Sequence, residues 1–117
     1  MSEPQRRIRM LSDEETVSFL VEGVTNSGGR VVSRAPVADP GRLALDLSTV
    51  ESVIAIVSAL FIDGPIIPQL LERLRSGKSH KVVFEGPLRK ITIEGREGLT
   101  EEELKAAFRL VMGVDHR

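Results

Sequence analysis

Two histidines, His80 and His116, and two acidic triplets, Asp13-Glu14-Glu15 and Glu101-Glu102-Glu103, are the residues here whose types could do chemistry. A histidine can move a proton or ligate a metal, and clustered carboxylates can share acid and base work or hold a divalent cation. Spacing argues against both uses. The acids nearest His80 are Glu72 and Glu85, at no ligand spacing, and His116 is next to the last residue. Each triplet falls in the first turn of an expected helix, where free backbone N–H groups and the helix dipole favour negative side chains. Gly28-Gly29-Arg30 lacks the Lys-Ser/Thr of a phosphate loop and precedes an expected strand. No serine stands in a Gly-x-Ser-x-Gly setting. The absence of Cys removes thiolate chemistry, disulfides and Cys-based metal sites. The reading is of a chain with no catalytic, cofactor-binding or metal-binding residues, and so not an enzyme.

The frame that holds these residues is ordinary in size. A chain of 117 residues with 41% hydrophobic residues and a formal charge of −1 is expected to fold as one domain over 1–117. Its short ends, roughly 1–5 and 114–117, are expected to be flexible. MSEPQRRIRMLSDEE carries Glu3 and no apolar stretch, so no secretory signal is expected. With no Cys, a reducing cytoplasm is the expected compartment.

The apolar spacing predicts the elements in turn. Arg7-Ile8-Arg9-Met10 alternates as a strand does. Ser12 and Glu15 are spaced as a capping box, and Val17, Leu20, Val21 and Val24 then mark a helical face. Asn26-Ser27-Gly28-Gly29 ends that helix, and a strand returns over 30–34. The loop Ala35-Pro36-Val37-Ala38-Asp39-Pro40-Gly41 follows, and 43–47 reads as a short strand or the approach to a helix. Ser48 and Glu51 give a second box, predicting a helix in which Val50, Val53, Ile54, Val57 and Phe61 share one face. Asp63-Gly64-Pro65 and Pro68 separate it from a helix carrying Ile66, Ile67, Leu70, Leu71 and Leu74. The stretches 82–84 and 88–94 flank Glu85-Gly86-Pro87 as a hairpin with Ile91 and Ile93 facing inward. Thr100 and Glu103 open a last helix with a stripe of Leu104, Ala107, Phe108 and Val111. The order is β-α-β-(β)-α-α-β-β-α, a two-layer α+β fold with helices on a mostly antiparallel sheet.

Two surfaces are expected to carry function. Arg73, Arg75, Lys78, Lys81, Arg89, Lys90 and Arg96 outweigh Glu85 and Glu94 in the stretch 73–96. Six of them, Arg73, Arg75, Lys78, Lys81, Arg89 and Lys90, are the candidates for contacting an anion or nucleic acid. The four aromatics, Phe19, Phe61, Phe84 and Phe108, all sit where a core would claim them, so no base-stacking platform accompanies that charge. The second surface is the apolar stretch 53–74. It has three readings: a buried helix pair, a segment dipping into a membrane, and a face that meets a protein. The stretch 53–62, apolar but for Ser58, is half the length a membrane span needs. A two-layer domain covers one side of most helices, so a helix apolar all round implies a partner.

The whole pattern resembles a family of small proteins of bacterial conflict systems, the effector-associated constant components encoded beside protease, nuclease or other effectors. The resemblance runs over 7–111: the opening strand and helix, the returning strand with its Ala35-Pro36 to Pro40-Gly41 loop, and the apolar centre ending in Glu72-Arg73-Leu74-Arg75, then the hairpin and closing helix. It implies a non-enzymatic adaptor or regulatory accessory and brings no catalytic residues.

The sequence therefore predicts a non-catalytic interaction module, a homo-oligomer or a subunit docked on a larger effector. Val50, Val53, Ile54, Val57, Leu60, Phe61, Ile66, Ile67 and Leu70 are its expected contact residues, and no cofactor is expected. A nucleic-acid module using 73–96 and a membrane-associated accessory using 53–74 are the alternatives.

Overall fold

Among the described residues, strand and helix periodicities place most buried apolar side chains between one sheet and its helices. The computed structural model describes residues 5–37, 50–87 and 89–113. In chain order these form β1 (Arg6–Ser12), α1 (Glu14–Asn26), β2 (Arg30–Pro36), β3 (Glu51–Val57), α2 (Ala59–Asp63), α3 (Ile66–Ser76), β4 (Lys81–Glu85), β5 (Lys90–Glu94) and α4 (Glu101–Met112). The strands lie side by side as β2-β3-β1-β4-β5, every neighbouring pair antiparallel. The expected α+β class and element order are those observed.

Registers follow from the alternation of side chains. Ile8 pairs with Ala55, Met10 with Val53 and with Phe84, so these residues share the face that the helices cover. Val17 and Leu20 of α1, Ile67, Leu70 and Leu74 of α3, and Leu104, Phe108 and Val111 of α4 complete one continuous core. Three rings knit its centre: Phe108 meets Phe61 edge-on at 5.3 Å and Phe84 at 4.3 Å. Offset or edge contacts of this kind add about 1 kcal/mol to the area they bury. On the opposite face Leu11, Val50 and Val83 form a separate small cluster.

Residues 50–62 depart from the helix expected there. Val53, Ile54, Ile56 and Val57 are β-branched, stiff in a helix and well packed on a pleated surface, and they form β3 instead. β3 is flanked on both sides by other strands, so both of its faces are at least half buried, and an apolar run without alternation suits that place. The helical part shrinks to the five residues of α2, capped by Ser58, whose Oγ accepts from Leu60 N–H. The expected strand at 43–47 lies outside the described residues.

Caps explain where the longer helices begin and end. Asp13, not Ser12, is the N-cap of α1: its carboxylate accepts from Thr16 N–H at 3.0 Å, while Ser12 Oγ donates across to Lys81 O at 2.6 Å. α4 opens with the expected Thr100–Glu103 box. Gly77, at φ +86°, ends α3 in a left-handed turn that disfavours any side chain.

Candidate interaction site

Several of the groups whose types could do chemistry are tied into structural bonds. Thr16 Oγ1 donates to Asp13 at 2.8 Å and lies 2.7 Å from Ser79 Oγ, with both hydroxyls buried. Arg73 Nε donates to the same Ser79 Oγ at 3.2 Å, and its guanidinium sits 5.1 Å over the Phe19 ring and pairs with Glu15. This chain of bonds joins the start of α1 to the end of α3. Glu101 pairs with Lys105, and Glu103 with Arg96. His80 is exposed, and its backbone carbonyl takes the Gly95 N–H. His116 lies outside the described residues. Among the described residues no three His, Cys, Asp or Glu converge on a metal-sized point.

The six basic candidates do not gather into one patch. Arg73 is tied to Ser79 and Glu15, and Arg75 Nε donates to Glu97 O at 3.2 Å on the helix side. Lys78 is exposed in the turn after α3. Lys81 faces Glu94 in the hairpin register, at the opposite end from Lys90, which faces Glu85. Four residues of strand separate those two lysines, about 14 Å. Arg89 is exposed beside the hairpin turn. The linear run of charge is therefore spread over a helix end, a turn and two ends of a hairpin.

The nine apolar candidates are mostly used by the chain itself. Val53, Val57, Phe61, Ile66, Ile67 and Leu70 are buried in the main core, and Val50 belongs to the small cluster on the other face. Ile54 is half buried on that face, opposite Arg9. Leu60 alone among them is open, 56% exposed. The strand conformation of 51–57 inserts Val53 and Val57 into the middle of the sheet, and α2 and α3 turn Phe61, Ile66, Ile67 and Leu70 onto the same core. Among the described residues no helix is long and apolar enough to cross a membrane.

An open apolar surface lies elsewhere, along β5 and α4. Among the described residues β5 pairs only with β4, so its far side is a free sheet edge. Between this edge and α4 runs an open groove of about 420 Å³, with an apolar lining of Ile91, Ile93, Leu99, Ala106, Ala107 and Leu110 and a polar one of Thr92, Glu94, Arg96 and Glu103. Leu110 is 48% exposed, and Ile91 and Ile93 are half buried. Sequence reasoning set Ile91 and Ile93 inward but missed the groove, because Leu110 falls off the apolar stripe of α4. The signal that could have found it is the repeat Lys90-Ile91-Thr92-Ile93-Glu94, apolar towards one face and free of Pro or Gly within the strand.

The other edge, β2, is guarded. It is bulged between Val31 and Ser33 and ends in Pro36, and its Arg34 is held by Glu51 at 2.6 Å and by Ser18 at 2.8 Å. Bulges, charges and proline are the devices that keep an edge strand from pairing. β5 has no bulge and no proline, and its only such device is the exposed charge of Lys90 and Glu94 at its two ends. Compared with protein-family models, with curated proteins and with solved structures, the chain matches none of them.

Proposed function

We propose that this chain is a non-catalytic interaction module, an adaptor or accessory subunit that docks a protein along the β5 edge and the groove beside α4. The observation that supports it is the pairing of a strand edge without bulge or proline with exposed Leu110 and half-open Ile91 and Ile93. Backbone pairing at such an edge supplies affinity, and side-chain pockets beside it supply selectivity. The docking surface shifts from the expected central segment to 90–110, because the chain's own core takes up most of the former. An accessory role beside a bacterial effector, as the resemblance over 7–111 implies, is the setting this reading fits.

A photo-reactive amino acid placed at Leu110 of the full chain, in the cells that make it, tests the reading. Crosslinking to a protein, whether itself or another, is the expected result, with a reactive group at exposed Glu22 of α1 as the control. Uncrosslinked chain at position 110 would overturn it.

A further inference from the structure

The direction of the backbone groups on β5 is fixed by two hydrogen bonds. Gly86 N–H donates to Arg89 O at 2.8 Å and Gly95 N–H to His80 O at 2.7 Å, at the two ends of the hairpin. The hairpin register sets Phe84 opposite Ile91, Val83 opposite Thr92 and Val82 opposite Ile93. In an antiparallel ladder, hydrogen-bonded pairs alternate with non-bonded ones. Counting inward from both ends, Ile91 and Ile93 bond to β4. The N–H and C=O groups of Lys90, Thr92 and Glu94 therefore point out to the free edge.

We propose that the occupant of this edge is a second copy of the chain, joined β5 to β5 in antiparallel fashion about a twofold axis at Thr92. The inference rests on the docking reading above and names its partner. In this register Lys90 stands opposite the partner's Glu94, Thr92 opposite the partner's Thr92, and Glu94 opposite the partner's Lys90. These three positions are the ones whose backbone groups are free, so all three pairs are of the hydrogen-bonded kind. Ile91 then faces the partner's Ile93 on the helix side, and the two copies of α4 flank the join, closing the groove along Leu110. An axis at Ile91 would set Lys90 against Thr92, and one at Ile93 would set Lys90 against Arg96. Only the Thr92 axis matches charge with charge.

The charges support this choice of partner. Neither Lys90 nor Glu94 has an ion-pair partner among the described residues, although both are exposed at the edge. Opposite charges directly across a strand pair stabilise it and like charges destabilise it. A strand whose sequence reads the same from both ends, with the sign of charge exchanged, is complementary to itself. The joined molecule is a continuous ten-stranded sheet with helices on one face.

Sedimentation velocity on Lys90→Glu and Glu94→Lys variants of the full chain, alone and mixed, tests the proposal. Wild type is expected to dimerise. Each variant alone sets two like-charge pairs across the join and is expected to associate roughly tenfold more weakly. Mixed in equal amounts, the two variants face each other with opposite charges at both pairs, and association is expected to return to the wild-type strength. Mixing cannot repair a folding defect, so circular dichroism of each variant beforehand separates the two causes. A monomeric wild type, variants that associate undiminished, or a mixture no stronger than its components would each overturn the proposal. A monomer that still crosslinks to a different protein at position 110 would overturn the second-copy inference and leave the docking reading standing.

Discussion

The hydroxyls of Thr16 and Ser79 lie 2.7 Å apart in a buried site, 63 residues apart in the chain, and close a bonded path from the N-cap Asp13 to Arg73. Each hydroxyl bonds on both sides, so removing one leaves a partner short inside the core. Ser79→Ala is expected to cost about 1–2 kcal/mol, and Thr16→Val about the same. Because they share a bond, the double variant should cost less than the sum, by roughly 1 kcal/mol. Urea unfolding followed by circular dichroism measures all three, since the chain has no Trp or Tyr to report by fluorescence. Strict additivity would contradict a coupled pair.

Gly95 follows β5 where the chain passes close to two backbone oxygens. A Cβ at that position would stand 2.6 Å from Leu74 O and from Ser79 O, and neither is a movable side-chain tip. Gly95→Ala is therefore expected to destabilise by about 2 kcal/mol, in the range of overpacked cores. A neutral result in thermal unfolding would contradict so close an approach.

Phe108 is the ring that Phe61 and Phe84 both touch, from α2 and β4. Phe108→Ala removes both contacts and leaves a cavity where three elements meet, so a loss of about 3–5 kcal/mol is expected. Phe108→Leu fills most of that space and should recover more than half of the loss. Equal destabilisation by the two would show that the rings are not the joint of the core.

The Glu103 carboxyl sits below its ordinary pKa, chiefly because the Thr100 hydroxyl donates to it, with the Arg96 side chain and the Thr100 backbone adding to the effect. Depression in the folded state means that folding binds fewer protons at this group. The stabilisation is thus present above the unfolded carboxylate pKa and lost as pH falls through the folded one. Glu103→Gln is expected to be less stable than wild type at neutral pH, with the difference closing in acid. A difference constant with pH would contradict the capping role.

Much of the fold was legible because α1, α3 and α4 carry their apolar stripes and stops in consecutive residues. Val17, Leu20 and Val24 face the core as their spacing requires, and Gly77 and Gly113 end their helices in left-handed turns. The stretch 50–62 was not legible by period. A central strand buried on both faces and a buried helix have the same all-apolar signature, and the β-branched Val53, Ile54, Ile56 and Val57 were the cue that separates them. Of the self-association candidates, Val53 and Val57 are taken up by that strand, while Phe61, Ile66, Ile67 and Leu70 pack into the same core from α2 and α3 and Leu60 stays open. The basic run 73–96 looked like one patch because sequence adjacency ignores direction, and the hairpin turn sends Lys81 and Lys90 to opposite ends. The free edge was invisible to local pattern, since which strand ends the sheet depends on the pairing of β1 with both β3 and β4.

Light scattering behind gel filtration, on the wild-type chain and on Thr92→Pro over a concentration series, tests the claim that β5 is the working edge. The Thr92 N–H points away from β4, so proline there breaks no bond within the hairpin and blocks only pairing outside it. The expected result is a wild-type dimer, a Thr92→Pro monomer of the same fold by circular dichroism, and an unchanged dimer for Val32→Lys on the opposite edge. A wild-type monomer at every concentration, or a dimer that survives Thr92→Pro, would contradict it.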